Sequence, residues 1–242
     1  MSFSSDSENE LVADLVSANH ILYNRGIVDG FGHVSARSSL NKDRFLIARS
    51  MAPALVENDD ILTVDLNGRV CDDARSSYLE RFIHSEIYRA RPDVMAIVHS
   101  HSVAILPFTV VQDVKLQPIC HMCGFIRNHA PIFEIREASG DASDILIRDR
   151  RLGEALARVL GSHALVLMRG HGSTVVGNSI KQAVFRAVYT ELNAVLQSNA
   201  MRMGAVTFLT EEEADAAAAT NDGQVDRPWQ LWLREAAKES RI

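Results

Sequence analysis

The stretch Ile97-Val98-His99-Ser100-His101 organises the interpretation of this chain. An apolar run rich in β-branched residues, Val94 to Val98, ends in two histidines separated by one residue, and this run predicts a buried strand. Side chains alternate between the two faces of a strand, so His99 and His101 share one face. They are either two corners of a metal site or ordinary histidines at a solvated strand end. A zinc-like site needs at least a third protein ligand from elsewhere in the chain.

Length and composition indicate one soluble domain. The chain has 242 residues, 47% of them hydrophobic, and a formal net charge of −6. We predict a single domain over 1–242, with a flexible tail at 1–9 and a C-terminal tail and helix at 221–242. The acidic balance argues against a nucleic-acid partner. No apolar run reaches the roughly 18 residues of a membrane span, and the N-terminus lacks a signal peptide's features, so we expect no membrane partner and a cytoplasmic location.

The three cysteines do not form the framework of a secreted protein, because their number is odd. Cys120 and Cys123 form a C-x-x-C pair, a spacing compatible with zinc binding or redox chemistry. A structural zinc site takes four ligands, and no second pair is present. This favours small thiols that line the core.

The first third of the chain predicts a helix followed by an antiparallel part of a sheet. Apolar residues at helical spacing run from about Glu10 to Arg25. The glycine-rich segment 30–35 is either an anion-binding loop or a turn. Strands are predicted at 44–48 and 61–65, the second leading into the hairpin signal Asn67-Gly68.

A second helix, predicted from Ser77 to Arg91, carries the first candidate catalytic carboxylate. Glu80 and His84 are four residues apart on it and therefore share a face. They are either a surface pair or face the histidine strand, and the second interpretation follows from the helix leading directly into that strand.

The second half of the chain supplies a candidate third ligand. Segment 103–111 is helix or strand, 115–119 and 130–135 are predicted extended, and helices are predicted at 151–160, 179–203 and 210–220. The apolar strand 165–168 is followed by Arg169-Gly170-His171-Gly172, where His171 is either a ligand or a turn residue. A last helix, 228–238, carries Trp229 and Trp232 and is expected to pack or to contact a subunit.

The combination Gly32-His-Val-Ser, Glu80-x-x-x-His84, His99-Ser-His101 and Gly170-His171-Gly172 resembles the class II aldolase/adducin family over nearly the whole chain. The resemblance implies an α/β fold of three α-β-α layers, with a central mixed, mostly antiparallel sheet flanked by helices. It also implies a homotetramer with active sites between subunits. One divalent metal ion per subunit is implied on His99, His101 and His171, with Glu80 as a further ligand or as acid/base.

Departures from the sugar-phosphate aldolases concern the phosphate loops. His33 replaces an asparagine, Ser50-Met51-Ala52-Pro53 lacks a glycine, and Ser76 and Ser77 are separated from Glu80. Each change removes a small donor or adds bulk where a phosphate would bind. The glycine-histidine-valine-serine stretch and segments 78–84 and 118–121 instead resemble decarboxylases of hydroxylated aromatic or pyridine dicarboxylates, such as 3-hydroxy-2-methylpyridine-4,5-dicarboxylate decarboxylase and dihydroxyphthalate decarboxylase.

The resemblance therefore predicts a metal-dependent carbon–carbon lyase, a carboxy-lyase acting on a small carboxylate. A divalent ion would stabilise the developing enolate or phenolate as a Lewis acid. Imidazole ligands suit Mn or Zn, and also Fe or Co. Glu80 is the first candidate proton donor, followed by His33 and His121. The candidate substrate-binding residues are His33, Ser35, Ser50, Arg75 and Arg81.

Two alternative functions belong to the same family. One is an aldolase or epimerase acting on a sugar phosphate. The other is a non-catalytic, adducin-like interaction module. The second would be expected to have lost metal ligands, whereas all three histidines and the glutamate are present here.

Overall fold

A seven-stranded sheet forms the centre of the protein in the computed structural model, which describes residues 5–239. Its strands, in chain order, are β1 (His33–Arg37), β2 (Arg44–Ala48), β3 (Ile61–Asp65), β4 (Ala96–Ser100), β5 (Ile132–Phe133), β6 (Leu165–Met168) and β7 (Gly172–Gly177). Their order across the sheet is β3-β2-β1-β4-β7-β6-β5. All neighbours pair antiparallel except β5 and β6, which are parallel. The predicted mixed, mostly antiparallel sheet is confirmed.

Helices cover both faces of this sheet. They are α1 (Ser5–Asn24), α2 (Arg81–Ala90), α3 (Leu106–Val110), α4 (Arg136–Ser139), α5 (Arg150–Leu160), α6 (Ile180–Met203), α7 (Glu211–Asp222) and α8 (Asp226–Glu239). Because strand side chains alternate, Val34 and Val98 join a core with α1, α6 and α8, whereas Ile97 joins a second core with α2 and α5. The three-layer fold is confirmed. Of the helices within residues 5–239, none is long and apolar enough to cross a membrane.

The C-terminal helix packs on its own chain. Trp229 and Trp232 are buried in the core beside α1 and α6, and the Trp232 ring lies 6.3 Å from that of Tyr189. The Arg25 guanidinium lies 5.6 Å from the centre of the Trp232 ring, a cation–π distance. The predicted packing of the tryptophan helix is therefore observed.

Several predicted boundaries are wrong. Helix α1 begins at Ser5, so 5–9 are helical and not a tail, while 1–4 and 240–242 lie outside the described residues. Helix α2 begins at Arg81 and not at Ser77. The segment 115–119, predicted extended, joins no strand of the sheet, and the backbone of Lys115, Gln117 and Ile119 hydrogen-bonds to Asn193 and Gln197 of α6.

Two strands were not predicted. β1 occupies the second half of the glycine-rich segment, so that segment is a loop only as far as Gly32. β7 follows His171 directly, in a stretch with two glycines and no alternating apolar pattern. Both strands are buried along their whole length. β7 shows no alternation because both of its faces are buried, whereas the alternation in β1 is confined to five residues directly after a glycine-rich turn.

Candidate metal centre and adjoining cleft

Neighbouring strand ends bring three histidines together. His99 lies in β4 and His101 directly follows that strand, while His171 lies in the turn between β6 and β7, and β7 pairs with β4. At Gly172 a Cβ atom would overlap the carbonyl oxygen of Ser100. Glycine is therefore required for this close approach of the two strands. The structure brings the three histidines predicted as metal ligands into one cluster.

The donor atoms of this cluster are spaced as metal ligands are. His101 Nε2 lies 3.0 Å from His99 Nε2 and 3.0 Å from His171 Nε2. Glu80 Oε2 lies 3.5 Å from His99 Nε2 and 3.4 Å from His171 Nε2. Four ligands at about 2.0–2.1 Å from a tetrahedral ion would be about 3.3 Å apart. The four side chains thus fit one divalent ion.

Hydrogen bonding fixes the orientation of His99 within the cluster. The Thr174 hydroxyl donates to the Met168 sulfur at 3.5 Å, which leaves its oxygen to accept from His99 Nδ1 at 3.3 Å. With its hydrogen on Nδ1, His99 presents the lone pair of Nε2 to the cluster. This is how a metal-ligating histidine is held by a second group.

His99 and His101 are disposed to be neutral, as metal ligands must be. Burial is the main cause that lowers the pKa of His99. Burial, followed by the neighbouring His99 and His171, lowers the pKa of His101 to about 4. The Nε2 atoms of His99, His101 and His171 converge, and a cation at their centre can accept a lone pair from each of them.

Glu80 closes the cluster from the start of α2. It is the residue before the first helical turn, and its Oε1 accepts a 2.9 Å hydrogen bond from the backbone N–H of Ile147. Burial acts to raise the pKa of Glu80, but the His171 and His99 rings beside its Oε2 outweigh burial and hold that pKa below its ordinary value. The carboxylate is therefore ionised, with Oε2 directed at the histidines.

A cleft of about 310 Å³ opens beside the cluster. His101 and Glu80 lie in its wall, so a bound molecule can reach the cluster directly. The Tyr78 hydroxyl donates to the Met51 carbonyl at 2.8 Å, and burial raises the pKa of Tyr78 to about 12. The wall is largely apolar and aromatic, and it is formed by Gly30, Phe31, Gly32, His33, Ser50, Met51, Ala52, Tyr78, Leu79, Glu80, His101 and Leu146.

Of the predicted substrate-binding residues, two line this cleft and three do not. His33 and Ser50 are in the wall. Ser35 is fully buried behind it, bonded to His84 and Tyr88. Arg75 is paired with Asp73, and Arg81 donates to the carbonyls of Gly68 and Tyr78, so neither guanidinium faces the cleft.

His121, predicted as a second proton donor, also lies away from the cleft. It is exposed on a short 3-10 helix, His121–Ile126, which packs against α7, and its carbonyl accepts from Asn221. The nearby Cys120 and Cys123 sulfurs are 3.1 Å apart. Within residues 5–239, the group of side chains placed to share a metal ion is the Glu80 cluster, so the cysteines form no zinc site there. Cys123 is a buried core thiol, as expected, and Cys120 is half-buried.

Sequence reasoning missed several residues that shape the site. Thr174 orients His99. Leu146 lines the cleft and the Ile147 N–H binds Glu80, and both residues lie in a loop without a regular sequence pattern. Tyr78 was quoted only as part of a motif. Its position two residues before Glu80 was the available signal for a ring beside the carboxylate.

A family model and known proteins match this chain over most of its length. The model described as "Class II Aldolase and Adducin N-terminal domain" matches residues 13–198. The chain is 36% identical to the decarboxylase tropJ of Talaromyces stipitatus, over 93% of each protein. It is 30% identical to the 3,4-dihydroxyphthalate decarboxylase of Arthrobacter keyseri, over 92% of this chain and 91% of that protein.

A solved structure has the same fold. The aldolase II superfamily protein from Pseudomonas syringae superposes with a TM-score of 0.80 at 22% sequence identity, covering 98% of this chain and 95% of that one. At this identity the likeness establishes the fold alone.

Proposed function

Because the chain belongs to the class II aldolase and adducin family, and two relatives that match 92% and 93% of it are decarboxylases, we propose that it is a divalent-metal-dependent decarboxylase. Its substrate would be a hydroxylated aromatic or pyridine carboxylate. The observation that carries the proposal is a complete three-histidine and glutamate cluster in the wall of a cleft of aromatic and apolar side chains.

His99, His101 and His171 would hold the ion, with Glu80 as a fourth ligand that the substrate would displace. The ion would act as a Lewis acid that stabilises negative charge on the oxygen next to the reacting carbon. Mn or Zn are the proposed metals, with Fe or Co compatible with the same imidazole set.

The cleft explains why the substrate would be aromatic. Phe31, Tyr78, Leu79 and Leu146 offer apolar surface, and the Tyr78 hydroxyl is turned to the backbone, leaving the ring to contact a ligand. Flat apolar walls favour a planar ring and exclude water from it. Carboxylate and hydroxyl groups on that ring then face the polar end, at Glu80 and His101.

Glu80 is proposed to carry the proton of the reaction. Its ionised Oε2 can take the hydroxyl proton of the substrate as the phenolate forms. The bond to the carboxyl carbon then breaks, its electron pair stays on the ring carbon, and CO₂ leaves. Glu80 Oε2 returns the proton to that ring carbon, so atoms and charges balance over the cycle.

We also propose that the active form is a homotetramer with sites between subunits. Two apolar side chains at the cleft stay exposed in the single chain, Phe31 at 72% and Leu79 at 60%. Exposed apolar residues beside a cleft are typical of a surface that a partner covers.

A comparison of two substrate classes tests the reaction type. Protein loaded with Mn²⁺ or Zn²⁺ would be incubated with 3,4-dihydroxyphthalate and, separately, with a ketose 1-phosphate. We expect CO₂ from the first and no aldehyde or dihydroxyacetone phosphate from the second. Cleavage of the ketose phosphate without decarboxylation would replace the proposal with an aldolase. His101→Ala serves as the control for contaminating activity.

A further inference from the structure

A chain of buried hydrogen bonds lies behind the cleft. His33 Nδ1 is 2.7 Å from His84 Nε2, and His84 Nδ1 is 2.6 Å from Ser35 Oγ. Ser35 Oγ is in turn 2.8 Å from the Tyr88 hydroxyl. All four residues are buried, and His33 alone of the four lines the cleft. The decarboxylation steps above leave this chain unused.

The buried end of the chain sets the direction of its hydrogens. Tyr88 is 1% exposed, and burial raises the pKa of its hydroxyl, which therefore keeps its proton. In the part of the chain that the structure describes, Ser35 Oγ is the hydrogen-bonding group that this hydroxyl reaches. A buried donor without an acceptor is costly, so Tyr88 donates to Ser35. Ser35 then donates its own hydrogen to His84 Nδ1.

The same direction continues through the two imidazoles. Burial is the main cause that lowers the pKa of His84 to about 3, so its ring is neutral. Since His84 Nδ1 accepts from Ser35, the ring hydrogen is on Nε2 and is donated to His33 Nδ1. A neutral His33 that accepts at Nδ1 carries its hydrogen on Nε2. That atom makes no hydrogen bond within residues 5–239 and belongs to a ring in the cleft wall.

We propose that Ser35, His84 and Tyr88 are positioning residues that hold His33 as a fixed hydrogen-bond donor, with Nε2–H presented to an anionic oxygen of the substrate. The inference rests on the proposed function and specifies one contact of its substrate. The His33 and His99 rings are 5.0 Å apart, so the oxygen would be a carboxylate or phenolate oxygen beside the histidine cluster.

The sequence made His33 a candidate both for proton donation and for substrate binding, and the hydrogen-bond chain favours substrate binding. A neutral imidazole that lost its remaining hydrogen would become an imidazolate, which is an unfavourable product near neutral pH. His33 therefore binds and polarises an oxygen, as a neutral histidine does in enzymes that stabilise an enolate. The ring-carbon proton remains with Glu80.

Nitrogen NMR of the histidine side chains tests the direction of the chain. Zinc-loaded protein labelled with ¹⁵N-histidine would be compared with His33→Gln to identify the His33 signals. We expect His33 Nε2 to carry the hydrogen and Nδ1 to be unprotonated, with or without zinc. A hydrogen on His33 Nδ1 would overturn the inference.

A matched pair of variants tests the consequence for binding. Ser35→Ala removes the donor to His84, whereas Ser35→Thr keeps a hydroxyl. The probe is salicylate, added to zinc-loaded protein. In Ser35→Ala we expect about tenfold weaker salicylate binding and a second His33 tautomer in the NMR spectrum. In Ser35→Thr we expect the salicylate affinity and the His33 tautomer to stay close to those of the wild type. An unchanged tautomer and unchanged affinity in Ser35→Ala would contradict the inference.

The two proposals fail in distinguishable ways. Neither the NMR signals nor salicylate affinity requires turnover. Suppose that the protein shows the expected His33 tautomer but releases no CO₂ from any hydroxylated aromatic carboxylate. The decarboxylase function would then be wrong, and the proposed hydrogen-bond chain would stand. If the protein releases CO₂ but carries the hydrogen on His33 Nδ1, the proposed hydrogen-bond chain would be wrong and the decarboxylase function would stand.

Discussion

Glu80 combines two properties that are difficult to obtain together, burial and ionisation. Its Oε1 is fixed by the Ile147 N–H, and its Oε2 faces His99 and His171. A carboxylate held this way can exchange a proton at one defined atom. The position at the start of a helix, outside its first turn, is what aims the side chain into the cluster.

Replacing the carboxylate with an amide separates proton transfer from metal binding. We expect Glu80→Gln to keep a metal ion on the three histidines and to lose about 100-fold or more in kcat, because the amide cannot exchange a proton. Metal content and CO₂ release would be measured on the same sample. His101→Ala is the matched control and should lose metal as well as activity. Full activity in Glu80→Gln would remove Glu80 from the mechanism.

The buried His84 makes stability depend on pH. Its pKa is about 3 in the folded protein against 6.5 ordinarily, because burial disfavours the charged ring. Below pH 6.5 the unfolded chain binds a proton that the folded chain does not, so stability is lost as pH falls toward 3. This amounts to about 2 kcal/mol between pH 7 and 5.

Urea unfolding of metal-free protein at pH 7 and pH 5 measures that loss. Wild type should lose about 2 kcal/mol more over this interval than His84→Gln, which cannot titrate at this position. Each protein is compared with itself at the two pH values, so the overall destabilisation caused by the substitution does not affect the result. Parallel pH dependence in the two proteins would show that His84 is not held neutral.

At the scale of elements, the pairing of β4 with β7 positions His171 beside His99 and His101. Gly172→Ala would push a methyl group into the Ser100 carbonyl and shift the turn that carries His171. We expect a loss of about 1–3 kcal/mol in the free energy of unfolding and weaker metal binding. Gly223→Ala is the control, since the nearest atom to its added Cβ, Thr220 O, is 3.6 Å away. Equal metal affinity in both variants would contradict this role for Gly172.

Local patterns predicted the elements that carry their own signal. The strands 44–48, 61–65 and 165–168 have the predicted bounds, and the histidines at the ends of β4 and β6 meet as expected. β1 was missed because it is short and directly follows a glycine-rich turn, and β7 because glycines and small polar residues form at least half of it and both of its faces are buried. Ser35, Thr174 and Tyr88 acquire their roles only through strand register and helix packing, which no local pattern encodes.

Two arginines were predicted to be in the site but do not face it. Arg75 and Arg81 were predicted to bind substrate because a positive side chain could anchor a substrate carboxylate. The structure gives their guanidinium groups local acceptors, Asp73 for the first and two backbone carbonyls for the second. Residue type alone did not predict which way these long side chains point.

At the scale of the whole molecule, the exposed Phe31 leads to a prediction about assembly. Light scattering coupled to size exclusion should give a mass four times that of the chain. Phe31→Ser should weaken the assembly and lower activity together, because the same residue lines the cleft and faces outward. Leu40→Ser, at an exposed position outside the cleft, is the control. A fully active monomer would contradict sites shared between subunits.

Metal titration of CO₂ release tests the central claim most directly. Metal-free protein would receive increasing Mn²⁺ or Zn²⁺ in the presence of 3,4-dihydroxyphthalate, with bound metal and CO₂ measured at each step. The three-histidine and glutamate cluster predicts no release without metal and a rise that saturates at one ion per chain. Full CO₂ release from metal-free protein, or no release at one bound ion per chain, would contradict a metal-dependent decarboxylase.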